Sequence, residues 1–312
     1  MISNRDSDPS HSSPSFSKST AAAAVKRHYT RGGGTSMDME NTILAALRNV
    51  GKTVDQQLTV DDLAPIDELH ALGREATANL ASLLLNNNLQ PNFNVLDVGS
   101  GIGGPSRYLA SKFGCHVTRL DLVEEYCRVA DSLARRVKLD ELVNYRQGDA
   151  TQMSFEDASF DVVRTQHAAM NIADKKRLYS EMHRVLKPGG KLAIYDVFKA
   201  ANSSDKIDGS TSSIHFPVPW AADPSISHLI SAEKARKLLK EVVGFNELAW
   251  EDKTEYVIDW IKQMIMRAQT SGPPTIGVHI LVGPQWSEMI TNVLRNLEEG
   301  RIAVAQSIFE RS

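Results

Sequence analysis

One stretch constrains the fold more than any other: Val95-Leu96-Asp97-Val98-Gly99-Ser100-Gly101-Ile102-Gly103-Gly104. Val95–Val98 suits a buried strand. The glycines behind it suit a tight turn, in which the backbone takes φ > 0 and approaches a ligand with no Cβ in the way. Pro105 then opens a helix, where its missing N–H would have found no partner anyway. Strand, glycine turn and helix N-terminus in succession define a nucleotide-type cofactor site in an open α/β sheet. By spacing, Gly99, Gly101 and Gly104 also satisfy G-x-G-x-x-G, a dinucleotide fingerprint. Two residues shift that reading. Asp97 places a carboxylate ahead of the first glycine, unfavourable for a pyrophosphate. Gly103 completes D-x-G-x-G-x-G, which suits a ligand with a positively charged head.

The chain beyond this turn alternates strand and helix. His116–Asp121 reads as a second strand, Glu124–Val137 as an amphipathic helix with Tyr126, Ala130, Leu133, Ala134 and Val137 inward, and Val143–Gln147 as a third strand. Asp121 ends the second strand 24 residues after Asp97. A carboxylate there can accept hydrogen bonds from both hydroxyls of a ribose, or cap the following helix. The third strand runs into Gly148-Asp149-Ala150. Phe160–Thr165 is a fourth strand followed by Gln166-His167, Asp174–Leu186 a helix, Leu186–Gly190 a turn and Lys191–Val197 a fifth strand. Glu247–Trp250 and Ile302–Phe309 complete the set. Upstream, Asp38–Val50 and Asp67–Leu85 are helical by period, the second with His70 and Arg74 on its polar face.

The glycine stretch resembles motif I of the class I S-adenosylmethionine-dependent methyltransferases. Leu186-Lys187-Pro188-Gly189-Gly190-Lys191-Leu192 closely matches that family's post-core motif, and Asp121 and Asp149 stand between them in the family's order. The resemblance implies a Rossmann-like α/β fold: seven mostly parallel strands, helices on both faces, and the last strand inserted antiparallel between the fifth and sixth. It implies S-adenosylmethionine as cofactor, S-adenosylhomocysteine as product, and no metal. The cofactor contacts it implies are Asp97, Gly99, Ser100, Gly101, Gly103, Asp121, Leu122, Asp149, Ala150 and Gln166. Asp149 would accept from the adenine amine, and Arg74 would meet the carboxylate of the amino-acid tail.

The substrate-side segments resemble a small-molecule branch that includes the sarcosine and dimethylglycine N-methyltransferases and the tocopherol and ubiquinone-type enzymes. The first expectation is N-methylation of a small amine or amino acid. The alternatives are C- or O-methylation of a phenol or quinol, and a non-catalytic cofactor-binding homologue. A phenol or carbon acceptor needs a general base, and a neutral imidazole works near pH 7. His167, at the cleft end of a strand, is the first candidate, with His215 and His70 behind it. His70, His167, His215 and Trp220 are the expected substrate contacts.

The rest of the sequence bounds these readings. The 312 residues divide into a Ser-rich tail or leader at 1–36, expected to lack order; a helical cap at 37–90; and the methyltransferase domain at 91–312. Two insertions, 201–231 and 252–300, interrupt that domain. The first holds Ile214-His215-Phe216-Pro217-Val218-Pro219-Trp220, whose prolines exclude helix. In the second, helices near Val257–Ala268 and Gln285–Leu297 present Met264, Ile265 and Met266 as an apolar lid. A net charge of −3 leaves no basic footprint for nucleic acid. No run of eighteen apolar residues supports a membrane span. Cys115 and Cys127 make neither a disulfide framework nor a zinc motif. A small molecule is thus the expected partner, the cytoplasm the expected compartment, and the mitochondrion the alternative if 1–36 is a removable leader.

Overall fold

The computed structural model describes residues 15–30, 36–53, 57–86, 88–200 and 213–312. The leader reading of residues 1–14 and 31–35, and the first part of the 201–231 insertion, lie outside the described residues. Four helices precede the sheet: α1 (Ser15–Thr30), α2 (Ser36–Asn49), α3 (Val60–Asp67) and α4 (Gly73–Asn86). The core runs β1 (Asn94–Val98), α5 (Gly104–Phe113), β2 (His116–Asp121), α6 (Glu124–Arg136), β3 (Val143–Gln147), β4 (Phe160–Gln166), α7 (Lys175–Val185) and β5 (Leu186–Lys199). Then come α8 (Ala232–Lys237), β6 (Phe245–Asp252), α9 (Thr254–Ser271), α10 (His279–Val282), α11 (Trp286–Glu298) and β7 (Ile302–Arg311).

The seven strands form one sheet in the order β3-β2-β1-β4-β5-β7-β6. β1 to β5 pair in parallel, and β7 is antiparallel to both β5 and β6, the Rossmann-like arrangement expected from the sequence. Strand order reverses between β1 and β4, so the loops leaving their C-terminal ends part and open a crevice, the usual ligand site of such sheets. Hydrophobic patterning drives the layering. β4 buries six of its seven residues, whereas β3, at the sheet edge, buries only Val143. Cys115 and Cys127 are buried free thiols.

Three local readings are corrected. Residues 15–30 are helix α1, not an unstructured tail; the run Ala21–Ala24 supplies strong helix propensity, and packing supplies the rest. The helix expected over Asp67–Leu85 starts later, because α3 ends at Asp67. The chain breaks at Glu68–Leu72, where Leu72 takes φ 62° and Gly73 φ 49°, and α4 restarts from Gly73. The turn expected at Leu186–Gly190 lies within β5 as a bulge: Phe160 pairs with Leu186 and Val162 with Lys191.

Candidate active site

The glycine turn leaves β1 with Gly99, Gly101 and Gly103 all at positive φ. At Gly99 the requirement is doubled: a Cβ would stand 2.2 Å from the Cβ of Ala168, so the turn after β1 and the loop after β4 touch only because no side chain intervenes. This contact closes the floor of the crevice. Above it lies a cavity of about 1680 Å³.

Asp121 ends β2 at the cavity wall. Its Oδ2 accepts from the Gly101 N–H at 2.8 Å and its Oδ1 from the Val123 N–H at 2.9 Å. Each oxygen keeps a further lone pair for a ligand donor. Burial pushes the carboxyl up to about 6, against these two backbone bonds. The Val123 bond also makes Asp121 a support for the start of α6, so the two readings of this residue hold together. Asp149 is exposed to the cavity beyond β3, its Oδ1 held by the N–H and hydroxyl of Thr151. Ser100, Leu122, Ala150 and Gln166 line the same wall. Gln166 is buried and its Nε2 finds no partner in the protein, a donor available to an anionic ligand group. These groups fit the parts of S-adenosylmethionine: a ribose diol at Asp121, an exocyclic amine at Asp149 and a carboxylate at Gln166.

Two expected cofactor contacts are otherwise engaged. Asp97 lies 2.8 Å from Arg164 Nη1 and accepts from Ser106 Oγ at 2.5 Å, so its charge is compensated inside the protein. Arg74 donates from Nε to Glu68 at 2.5 Å, pairs with Asp61 at 3.1 Å, and stacks its guanidinium over Tyr108. It lines the cavity already paired with two carboxylates.

The break between α3 and α4 builds a second polar group that sequence periodicity concealed. Glu68, 2% exposed, gathers Arg74, the Thr77 hydroxyl at 2.8 Å and His70 Nε2 at 3.1 Å. Burial pushes its carboxyl up, but His70 and Arg74 outweigh this and hold it at about 2. The His70 ring meets His167 edge to face at 5.9 Å, and His167 stacks on Tyr195 at 5.0 Å. His167 sits at φ 48°, left-handed backbone that costs a non-glycine residue about 1 kcal/mol. Its N–H bonds the Tyr195 carbonyl at 2.9 Å and holds it there. Burial, with the charge of His70, keeps the imidazole well below its ordinary value, so it is neutral at pH 7. Its Nε2 is shielded and has no partner in the protein.

His215 is corrected. Its backbone N–H and carbonyl pair with the side chain of Asn296, and its ring bonds Glu299 at 2.8 Å. It pins the insertion to α11 and does not line the cavity. Trp220 does line it, buried, with its indole N–H on Ser227. Met264 and Ile265 also face the cavity, while Met266 is exposed.

Helix α1 roofs the site. The Tyr29 hydroxyl donates to Asn171 Oδ1 at 2.7 Å, the Tyr126 hydroxyl to the Tyr29 carbonyl at 3.3 Å, and His28 bonds the Pro219 carbonyl. Nothing in the Ser-rich leader marks Tyr29 or His28 as site residues. For Glu68 the adjoining His70-Ala71-Leu72-Gly73 held a signal, a glycine inside a helical pattern.

A methyltransferase domain family model matches residues 96–194, the segment from β1 into β5. The chain is 34% identical over 175 residues to a sterol 24-C-methyltransferase of Candida albicans, covering 55% of this chain and 45% of that protein. It is 36% identical over 118 residues to a glycine/sarcosine/dimethylglycine N-methyltransferase of Actinopolyspora halophila, covering 38% of this chain and 21% of that one. The matched segments thus span less than half the length of these two curated relatives. A geranyl diphosphate C-methyltransferase from Streptomyces coelicolor shares the fold, with a TM-score of 0.64 at 15% identity over 97% of this chain and all of that one. Residues 96–194 thus carry a methyltransferase domain, in agreement with the class I S-adenosylmethionine-dependent methyltransferases that the motifs resemble.

Proposed function

We propose that this chain catalyses methyl transfer from S-adenosylmethionine to a small molecule whose receiving carbon or oxygen gives up a proton. One observation carries the reading: Asp121, with its lone pairs toward a nucleotide-type ligand, and the neutral His167 line the same cavity. When bound, the cofactor supplies an electrophilic methyl group on a sulfonium. The acceptor atom must form its bond to that carbon in line with the breaking carbon–sulfur bond, whose electron pair stays on sulfur. The protein's part is alignment and exclusion of water. Asp121, Asp149 and Gln166 orient the cofactor, and Gly99 and Gly101 keep its approach open. Helix α1 closes over it through Tyr29. His167 takes the acceptor's proton, Glu68 fixes the His70 ring beside it, and the left-handed backbone fixes the direction of His167.

This reading favours the phenol, quinol or carbon acceptor over the small amine expected first. A neutral amine needs no base, and the carboxylate that contacts His70, Glu68, is already paired with His70 and Arg74. The sterol C-methyltransferase relative is a protein whose name places methylation at carbon. Isothermal titration with S-adenosylmethionine tests the cofactor half of the proposal. Asp121→Ala should bind roughly a hundredfold more weakly than wild-type protein; equal affinity in the two would refute the site.

A further inference from the structure

The two ends of the cavity differ in charge. Before residue 254 its charged lining is Asp67, Glu68, Glu75, Asp97, Asp121, Asp149 and Asp174 together with Arg74 and Arg164. From residue 254 onward it is lined by α9, the turns around α10, α11 and the start of β7, and among these described residues not one is Lys, Arg, Asp or Glu. The single titratable group there, His279, is lowered by burial and stays neutral at pH 7. In their place stand Val257, Ile261, Met264, Ile265, Ile290 and Val293, closed on one side by Trp220. Both arginines of the charged end are committed, Arg74 to Glu68 and Asp61, Arg164 to Asp97. Among the described lining residues, a phosphate or diphosphate on the acceptor would find no Lys and no Arg without a carboxylate partner, although Arg164 Nη1 and Nη2 make no aligned hydrogen bond.

Volume points the same way. A pocket for one drug-sized ligand takes about 300–1,000 Å³. The cavity here is about 1680 Å³. Even with the cofactor at the top of that range, roughly 700 Å³ is left for the acceptor. Glycine, sarcosine or a simple biogenic amine would leave most of that apolar arm unfilled.

Resting on the methyltransferase reading above, we propose that the acceptor is a large, neutral, mainly hydrocarbon molecule of the isoprenoid or steroid kind. Its body lies in the arm formed by α9 and α11, and its one reacting end reaches the Glu68–His70–His167 group. Burying such a body removes about 25 cal/mol from the free energy per Å² of apolar surface covered, with no charge to desolvate. Affinity is therefore set by shape and length, and neither an ammonium nor a phosphate contributes to it.

The test uses the full chain saturated with S-adenosylhomocysteine. Farnesol and cholesterol, each carried in cyclodextrin, are titrated against intrinsic tryptophan fluorescence, to which Trp220, Trp260 and Trp286 at the cavity contribute. Dimethylglycine and phosphoethanolamine are the polar comparisons. The expected result is saturable binding of at least one apolar probe, none of the polar pair, and at least tenfold weaker apolar binding in Ile265→Arg with cofactor affinity within twofold. Because a buried cation can disturb folding, Ile265→Trp, which fills the arm without charge, is run beside it and should weaken the same probe. Binding of a polar compound with neither apolar probe bound would overturn the proposal, as would apolar binding unchanged in both variants. Failure of wild-type protein to bind S-adenosylmethionine would instead refute the cofactor reading, whatever the acceptors do.

Discussion

The two ends of the cavity are built on different principles. At the end nearest the sheet, the wall is backbone and short polar side chains at strand termini: Gly99 and Gly101 in the turn after β1, Asp121 closing β2, Asp149 just past β3. Parallel pairing fixes these positions relative to one another, with Val98 opposite Leu120 and Asp121 opposite Gln147. At the far, uncharged end, the wall is made of helix faces. α9 and α11 meet through side chains alone, and no ladder of backbone hydrogen bonds sets their spacing. The first design holds one ligand rigidly. The second changes volume with every side chain, so helices can be retuned to a new acceptor while the cofactor stays where it is.

The sharpest way to break this comparison is to strike each end and ask whether the other notices. His167→Ala should lower kcat by about 10²–10⁴-fold, the usual reach of a general base, with S-adenosylmethionine affinity unchanged; single-turnover methyl transfer and titration of the same sample read both. Asp121→Ala should do the reverse. Loss of charge-assisted hydrogen bonds worth about 3 kcal/mol corresponds to roughly a hundredfold rise in Kd, while catalysis at saturating cofactor survives. A variant that moved both constants equally would show that the two ends are not independent.

Acidity sharpens the cofactor half. The Asp121 carboxyl, raised to about 6 by burial, must be ionised to accept from a diol, and a bound donor pulls it down. Below pH 6 the free protein carries a proton that binding must expel. Affinity should therefore be level above pH 7 and fall by nearly tenfold by pH 5. Titration calorimetry in two buffers of different ionisation enthalpy would detect the released proton, and a flat profile would remove Asp121 from the contact. The smallest effect concerns the roof. Tyr29→Phe deletes the hydroxyl bonded to Asn171 and should speed cofactor release a few-fold, in line with one hydrogen bond of about 1 kcal/mol; stopped-flow dissociation measures it.

What could be read before folding was what is local. The five parallel strands, the left-handed glycine turn and the placement of Asp121 and Asp149 at strand ends follow from apolar runs and from residues adjacent in the chain. Such features are encoded by short-range sterics, which a linear pattern carries in full. What could not be read depends on partners far apart in sequence. His215 looked like a pocket residue because its loop is rigid and aromatic, but Asn296 and Glu299, more than eighty positions away, hold it to α11. Arg74 looked free because Glu68 was placed on the same helix, whereas the break at Leu72–Gly73 turns Glu68 inward to meet it.

The sequence by itself determined the methyltransferase-domain motifs, the parallel strands and the glycine turn, because each rests on the covalent neighbourhood of a strand end. Only the tertiary structure decided the rest: that α1 lines the cavity, that Glu68 meets His70, and that the arm formed by α9 and α11 carries no charge among its described lining residues. Those are properties of surfaces brought together across the fold, and burial of one side chain against another exists only once both are in place.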